Sequence, residues 1–496
     1  MKKGGSRRSV DDGALAQCSF VTGVLVVWLA AGLTPAGRAG ADPITLIEQL
    51  DPFAGDDRYG DVWGQGNYAY IGSFQGSGVG IFDISVLGSA ALVAHYNPAS
   101  GGQFKDVKVQ DGIGYFASDN GGGLHIVDLA DPASPTLLSQ ITSADSGYDS
   151  IHNVFIDGDY LYEADSRTKR VKVFDVSDPT APAFVRNIVT TDSRFIHDIT
   201  VADGRLYTSG WGGTTDIYDI TDVGTSAPAL LGTVSTGSNS HSNWPTPNGQ
   251  FLVSARELSD GDVRIYDISN LASPSLVASL TAASLGIEAF SPHNPIVMGD
   301  FLYISWYQAG LQVLDISDPA NPLLVGSFDT FPGAVSGFDG NWGVYPFLGP
   351  DRVLLSDLDG GLFIVDAAPV GATLGDADLN GVVNLSDFNI WLENYGSGSL
   401  WIEANFTGDD IVNLADLNLW TANYGTAGGA GVASTSASAG TAARQAGLDV
   451  PAPEPSTRGL LAIGAVLLLA GAARQLARSR TRSAGPGQPG AEPAHK

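Results

Sequence analysis

Seven times in this chain a short apolar stretch ends on an aspartate: Asp83, Asp128, Asp175, Asp219, Asp267, Asp315 and Asp366, spaced 44 to 51 residues apart. No other feature limits the fold as strongly. A unit of that length cannot bury both faces of its own sheet and must stack on its neighbours. The copy GLQVLDISDPANPLLVGSFDT from Gly310 shows the second half of a unit. Apolar and polar residues alternate up to Asp315, the pattern of a half-buried strand. Asp318-Pro319 then turns the chain, because proline presets φ and lacks the N–H a central strand needs. Residues 323–328 read as the next strand. Blade four shows the first half: a strand from His197 to Val201, the turn Asp203-Gly204, and a strand from Arg205 to Ser209. Asp-Gly is a strong hairpin signal, since type I′ turns need φ > 0. Asp111-Gly112, Asp157-Gly158 and Asn248-Gly249 repeat it. Four strands in each of seven units predict an all-β fold, a seven-bladed β-propeller spanning residues 42–370. The last unit stops at Asp366, and residues 43–51, PITLIEQLD, carry the outer-strand pattern it lacks. The N-terminal strand is therefore expected to close the ring and hide its open edges.

Counting back 22 to 26 residues from each aspartate reaches the start of the unit's first strand. There stand Asp61, Asp106, His152, His197, His241, His293 and Asn341, so four of the chain's seven histidines fall in one repeat position on consecutive blades. This predicts an arc of imidazoles at one mouth of the central channel. Three readings stay open. Neutral imidazoles flanked by Asp106 suit a transition metal such as zinc, iron, nickel or copper more than calcium. The arc also suits a hydrogen-bonding or catalytic floor for an organic substrate, and the protein's ligand is open between a surface, a carbohydrate and a protein. Or the histidines bond neighbouring strands and bind nothing. Tyr148, Trp244, Trp306, Tyr307 and Trp342 fall nearby, as stacking surfaces or as packing between blades. Glu257 is a candidate base, or an exposed loop carboxylate. The sequence holds no nucleophile elbow, phosphate loop or zincin helix, and it assigns no catalytic residue.

The repeats resemble the LVIVD-repeat propellers, and the wider arrangement resembles the choice-of-anchor B family. The residues that carry this include IHNVFIDGDYLY from Ile151, SHSNWPTPNGQFLV from Ser240, PHNPIVMGDFLYISWYQAGLQVLDISDPANP from Pro292 and NWGVYPFLGPDRVLLSDLDGGLFIVD from Asn341. The resemblance implies a fold and an exported location more than a reaction.

At Gly375 the composition changes. GDADLNGVVNLSDFNIWLENYG is followed by ANFTGDDIVNLADLNLWTANYG, two copies of one small helical unit. In the first, Asp376, Asp378, Asn380, the carbonyl of Val382 and Asp387 take positions one, three, five, seven and twelve of an EF-hand loop, with Gly381 at the sharp turn. Such hard oxygens suit calcium. In the second, Asn405, Thr407, Asp409, the carbonyl of Ile411 and Asp416 do so, but Asp410 replaces the turn glycine, so this loop is the poorer. Residues 374–425 resemble a dockerin type I module, which implies calcium as a cofactor. Leu385-Ser386 and Leu414-Ala415, just before position twelve, leave a cohesin partner open.

Lys2, Lys3, Arg7 and Arg8, an apolar run from Phe20 to Leu33 and Ala39-Gly40-Ala41 predict a signal peptide over residues 1–41. The one cysteine, Cys18, lies inside it, so the exported chain would have no thiol for disulfides, zinc or catalysis. Residues 426–450 read as a flexible linker. Pro453-Glu454-Pro455, an apolar run over 459–473 and Arg474, Arg478, Arg480 and Arg482 follow, with residues 483–496 as a tail. That order resembles the PEP-CTERM sorting signal over residues 451–482. It implies an exosortase-type partner, transient membrane anchoring and a place at the cell surface, outer membrane or extracellular matrix. A net charge of −28 argues against nucleic acid and anionic lipid as partners. The sequence thus reads as an exported bacterial binding protein. A metal-dependent extracytoplasmic enzyme using the histidine arc is the alternative, and a structural surface component the third.

Overall fold

Each repeat folds into one four-stranded antiparallel sheet, and seven such sheets form a ring. A computed structural model describes residues 42–426 except 54–57, 76–77, 99–102, 120, 148–149, 165–166, 332, 334, 336, 371–372 and 410. The expected signal peptide, the linker from residue 427, Pro453-Glu454-Pro455, the apolar run 459–473 and the tail lie outside the described residues. Among the described residues, no helix is long and apolar enough to cross a membrane.

The first strands of the blades are Tyr59–Gln65, Phe104–Gln110, Asn153–Asp157, Ile196–Ala202, Ser240–Pro245, Pro295–Met298 and Asn341–Tyr345. They stand side by side around the channel, the seventh against the first. Gln110 pairs with Ile113 and Ala202 with Arg205. The two-residue loops between them, Asp111-Gly112 and Asp203-Gly204, have positive φ throughout, as type I′ turns require. Blades also approach closely: a Cβ on Gly72 of blade one would stand 1.9 Å from the Phe104 carbonyl oxygen of blade two, so only glycine fits there.

The seven repeat aspartates are turn residues. Asp83, Asp128, Asp175, Asp219, Asp267, Asp315 and Asp366 each accept the backbone N–H two residues ahead, at 2.9–3.0 Å. That bond ends the third strand and starts the turn to the fourth. The third strand itself corrects the sequence expectation of an exposed face. Leu311–Asp315 is buried up to Leu314, Gln312 included. At the matching place in other blades His125, Lys172 and Asp216 are buried too. Each has partners. Tyr96 Oη lies 2.7 Å from His125 Nδ1, Lys172 donates to Glu163 at 2.9 Å, and the Thr191 and Thr233 hydroxyls donate to Asp216. Stacking covers both faces of the strand, so its polar positions survive only where they are hydrogen-bonded.

Closure follows the sequence expectation and adds to it. Thr45–Leu50 pairs antiparallel with Gly361–Asp366 as the outer strand of blade seven. Asp42–Pro43 also runs parallel to Leu323–Phe328, a fifth strand on blade six that the pattern did not show. The N-terminal segment therefore ties blades six and seven together.

Two helices follow, Leu385–Asn394 and Leu414–Asn423. Asn384 and Asn413 cap them, and Asp387 and Asp416 complete reciprocal capping boxes. Their apolar core, with Phe388, Trp391, Trp401 and Trp420, is continuous with that of blades six and seven. Trp401 N donates to the Phe347 carbonyl at 3.0 Å, and Leu379 fits against the hairpin glycine Gly299 of blade six. The helical unit is thus built onto the propeller.

Candidate functional site

The first strands put the sequence-predicted ring at three register positions instead of one. Pairing sets Asp106 opposite Ala117, Asn153 opposite Ala164, Asp198 opposite Ser209 and Ser242 opposite Ala255. His152, His197 and His241 each stand one residue earlier, and for His197 and His241 that place is a β-bulge where the register shifts. Counted from the hairpins, Gly60, Lys105 and Trp342 hold the same place in blades one, two and seven. Asp61 and Asp106 lie one residue further along, and Asn341 one residue before. Counting from the aspartate fails because the intervening loops differ in length, and a slip of one residue turns a side chain to the other face.

The four histidines do come together. Ring centroids are 4.4 Å apart for His152 and His197, 4.1 Å for His197 and His241, and 4.2 Å for His241 and His293. Trp342 continues the row 4.1 Å beyond His293. At one end His152 Nδ1 lies 3.3 Å from Asp119 Oδ2, which also accepts from Lys105 Nζ at 2.7 Å. At the other end His293 Nδ1 donates to the Trp342 carbonyl at 2.6 Å. Glu257 joins the middle of the row. Its Oε2 stands 3.7 Å from His241 Nε2, and its Oε1 accepts from Tyr307 Oη at 2.5 Å. Partly buried there, it is not the exposed loop carboxylate of the blander sequence reading. One ligand atom each from His197, His241 and Glu257 lies within 4.8 Å of the other two.

Burial sets the charge states. It pushes His197 and His241 well below the ordinary imidazole range, with neighbouring imidazoles adding to the effect, and it pushes His293 down to about 3. All three rings are therefore neutral near pH 7, the form that binds metals. Burial pushes the Glu257 carboxyl up, opposed by the Tyr307 hydrogen bond. Burial also works to raise Asp119, but hydrogen bonds and charge from His152 and Lys105 outweigh it and hold that carboxyl well below its usual range. The His241–Glu257 contact is accordingly a neutral ring beside a carboxyl group, not an ion pair. Among the buried polar atoms without a hydrogen-bond partner are three at the mouth: His197 Nδ1, His293 Nε2 and Asn294 Oδ1. Their residues line one cavity of about 30 Å³ at the channel mouth.

The next layer belongs to Lys108. Its ammonium donates to Asp61 Oδ2 at 3.0 Å and to Asp106 Oδ1. Asp106 Oδ2 accepts Val154 N of blade three at 2.7 Å, so this carboxylate joins blades two and three while Asp106 lines the same cavity as the four histidines. Asn341 is structural as well, with Nδ2 donating to the carbonyls of Gly343 and Ser356. Burial pushes Asp61 up to about 7 and Asp198 up to about 8, each against the pull of Lys108. Burial opposes the charge on Lys108, but Asp106 and Asp61 outweigh it and hold the ammonium above its ordinary range. Trp244 lines the channel beyond this layer, and Trp306 is buried between blades five and six. Tyr148 lies outside the described residues.

In the helical unit, ligand atoms of Asp376, Asp378 and Asp387 lie within 4.8 Å of one another. Asn380 turns its amide to Asp378 at 2.9 Å, and the Val382 carbonyl accepts from Asn384 at 2.8 Å. The second loop is held by its own bonds: Thr407 donates to Asp416 at 2.9 Å, Asn405 to the Asp409 carbonyl, and Asn413 to the Ile411 carbonyl at 2.9 Å. Asp410 lies outside the described residues.

Fold and ring together define a seven-bladed β-propeller. Residues 58–98, 101–142, 150–190, 258–282 and 295–330 match the LVIVD repeat, so the chain carries LVIVD repeats on blades one, two, three, five and six. Among solved structures, the computationally designed Ika8 protein is similar at 12% identity and a TM-score of 0.45, over 64% of this chain and 98% of that one. BamB from Moraxella catarrhalis is similar at 12% identity and a TM-score of 0.43, over 65% of this chain and 97% of that one. A comparison with curated proteins finds no match.

Proposed function

We propose that this chain is an exported bacterial surface or matrix protein whose propeller binds a small ligand at the histidine mouth of its channel. One observation carries the reading: His197 Nδ1, His293 Nε2 and Asn294 Oδ1 are buried and unpartnered around a single cavity. Each such atom costs about 1–3 kcal/mol unless something bonds it. Histidines that merely brace neighbouring strands would spend both nitrogens on those strands. The cavity of about 30 Å³ holds an ion or roughly one or two water-sized groups, not a sugar ring. A carbohydrate or protein partner would meet the outer surface instead. Three converging donors leave a held metal with an open position, which favours a metal-dependent enzyme as the second reading.

The sorting signal supports processing by an exosortase-type enzyme and retention at the surface. The helical unit is dockerin-like in this reading, with calcium in its first loop. Leu385 and Leu414, exposed at matching first positions of the two helices, suit a protein partner of the cohesin kind.

Thermal melting of the purified full chain in saturating calcium tests the mouth, with divalent metal ions, inorganic phosphate and monosaccharides added one at a time. A small ion should raise the melting temperature of the parent and not of His241→Ala. No shift with any small ion, or an equal shift in the variant, overturns the reading.

A further inference from the structure

We propose that His197, His241 and Glu257 form a binding site for one divalent transition metal at the channel mouth. The inference rests on the small-ligand reading of that mouth and names the ligand. It also revises the ligand set that the sequence suggests, four histidines, to two histidines and a carboxylate.

The three donors come from separate elements of two neighbouring blades. His197 stands in the bulge of blade four's first strand and His241 in the bulge of blade five's. Glu257 follows directly on Phe251–Arg256, the second strand of blade five. A bulge turns an extra residue out of the ladder, which is what allows adjacent blades to aim imidazoles at one point. His241 Nε2 and Glu257 Oε2 stand 3.7 Å apart, near the spacing of donors around one ion with bonds of about 2.0–2.2 Å, and the ligand atoms of all three residues lie within 4.8 Å of one another.

Donor chemistry selects the ion. Two imidazole nitrogens and one carboxylate suit zinc, iron, manganese, nickel or copper, whereas calcium and magnesium want oxygen alone. The outer partners fit the same assignment. Tyr307 Oη binds Glu257 Oε1 and leaves Oε2 on the side of His241. A hydrogen bond of that kind fixes the orientation of a metal-bound carboxylate. His293 donates through Nδ1 to the Trp342 carbonyl, which leaves the Nε2 lone pair free, and its ring lies 4.2 Å from that of His241. His293 Nε2 is thereby available to accept a hydrogen bond from a water on a bound ion. His152, tied to Asp119, is outside the set.

The test is elemental analysis of the full chain, purified without chelators from metal-replete medium, together with cobalt(II) titration followed by its visible spectrum. One equivalent of transition metal is expected in the parent, and it should persist in Asp376→Asn, which alters only the calcium loop. Glu257→Gln, close in shape to the parent, and His241→Ala should each remove most of it. Tyr307→Phe should weaken cobalt binding by about ten- to a hundred-fold, and His152→Ala should leave it unchanged. Circular dichroism of each variant separates lost binding from lost fold. Full metal retention in folded Glu257→Gln overturns this ligand set and leaves the small-ligand reading standing. A parent that neither carries transition metal nor takes up cobalt(II) overturns the metal site, while the melting experiment still decides whether another small ligand binds.

Discussion

Replacing Lys108 with methionine should cost far more stability at pH 8 than at pH 5. The Lys108 side chain is 7% exposed, and the side chains of Asp61 and Asp106 that its ammonium touches are 14% and 5% exposed. Removing one partner of a buried ion pair costs about 3–5 kcal/mol, because the remaining charge is left without compensation. The size of the loss depends on whether that charge is present. Burial already holds the Asp61 carboxyl up at about 7 with Lys108 beside it, and without the ammonium it rises further. An acid whose folded pKa exceeds its unfolded value, about 3.9 for aspartate, binds more protons folded than unfolded. Its contribution to stability is full below about pH 4 and is lost as the pH rises through the folded value. At pH 5 the folded variant keeps Asp61 protonated, so the part of the Lys108→Met cost that runs through Asp61 should be only about 1–2 kcal/mol, for lost hydrogen bonds. At pH 8 Asp61 is driven to ionise with no ammonium beside it, and the full cost of an uncompensated buried charge, about 3–5 kcal/mol, should appear. Adding Asp61→Asn should recover part of the loss at pH 8 and little at pH 5. Urea unfolding of parent and variants at both pH values, in calcium, measures these differences. An equal cost at the two pH values, or no cost at pH 8, would refute the reasoning.

Chelation of calcium should reduce the helical circular dichroism of Leu385–Asn394 and Leu414–Asn423 and lower the melting temperature, since coordination energy adds to folding energy. Asp387→Ala should weaken calcium binding more than Asp416→Ala, and calorimetric affinities in the reverse order would count against the first loop as the better site. Replacing Pro453-Glu454-Pro455 with alanines should block C-terminal processing while the apolar run 459–473 stays intact, and a variant shortened as the parent is would remove the sorting assignment.

The repeat period, the Asp-Gly hairpins and the truncated last unit were enough to determine the number of blades and the closure by residues 45–50. Each is a local signal: a turn needing positive φ, an apolar stretch of strand length, an edge that must be covered. The gathering of Asp376, Asp378 and Asp387 was legible for the same reason, since one short segment carries all three. The arc of four histidines was legible from its repeat position, and tertiary structure alone decided which donors of the mouth converge. His197 and His241 converge because each occupies a bulge, and a bulge is fixed by pairing with the next strand, not by its own residues. Glu257 reaches them from the far end of the second strand, and only the fold shows that this end lies beside the histidines. The burial of Gln312, His125 and Lys172 was equally hidden. Alternation shows that a strand has two faces, and only the stacking of blades reveals that both are covered.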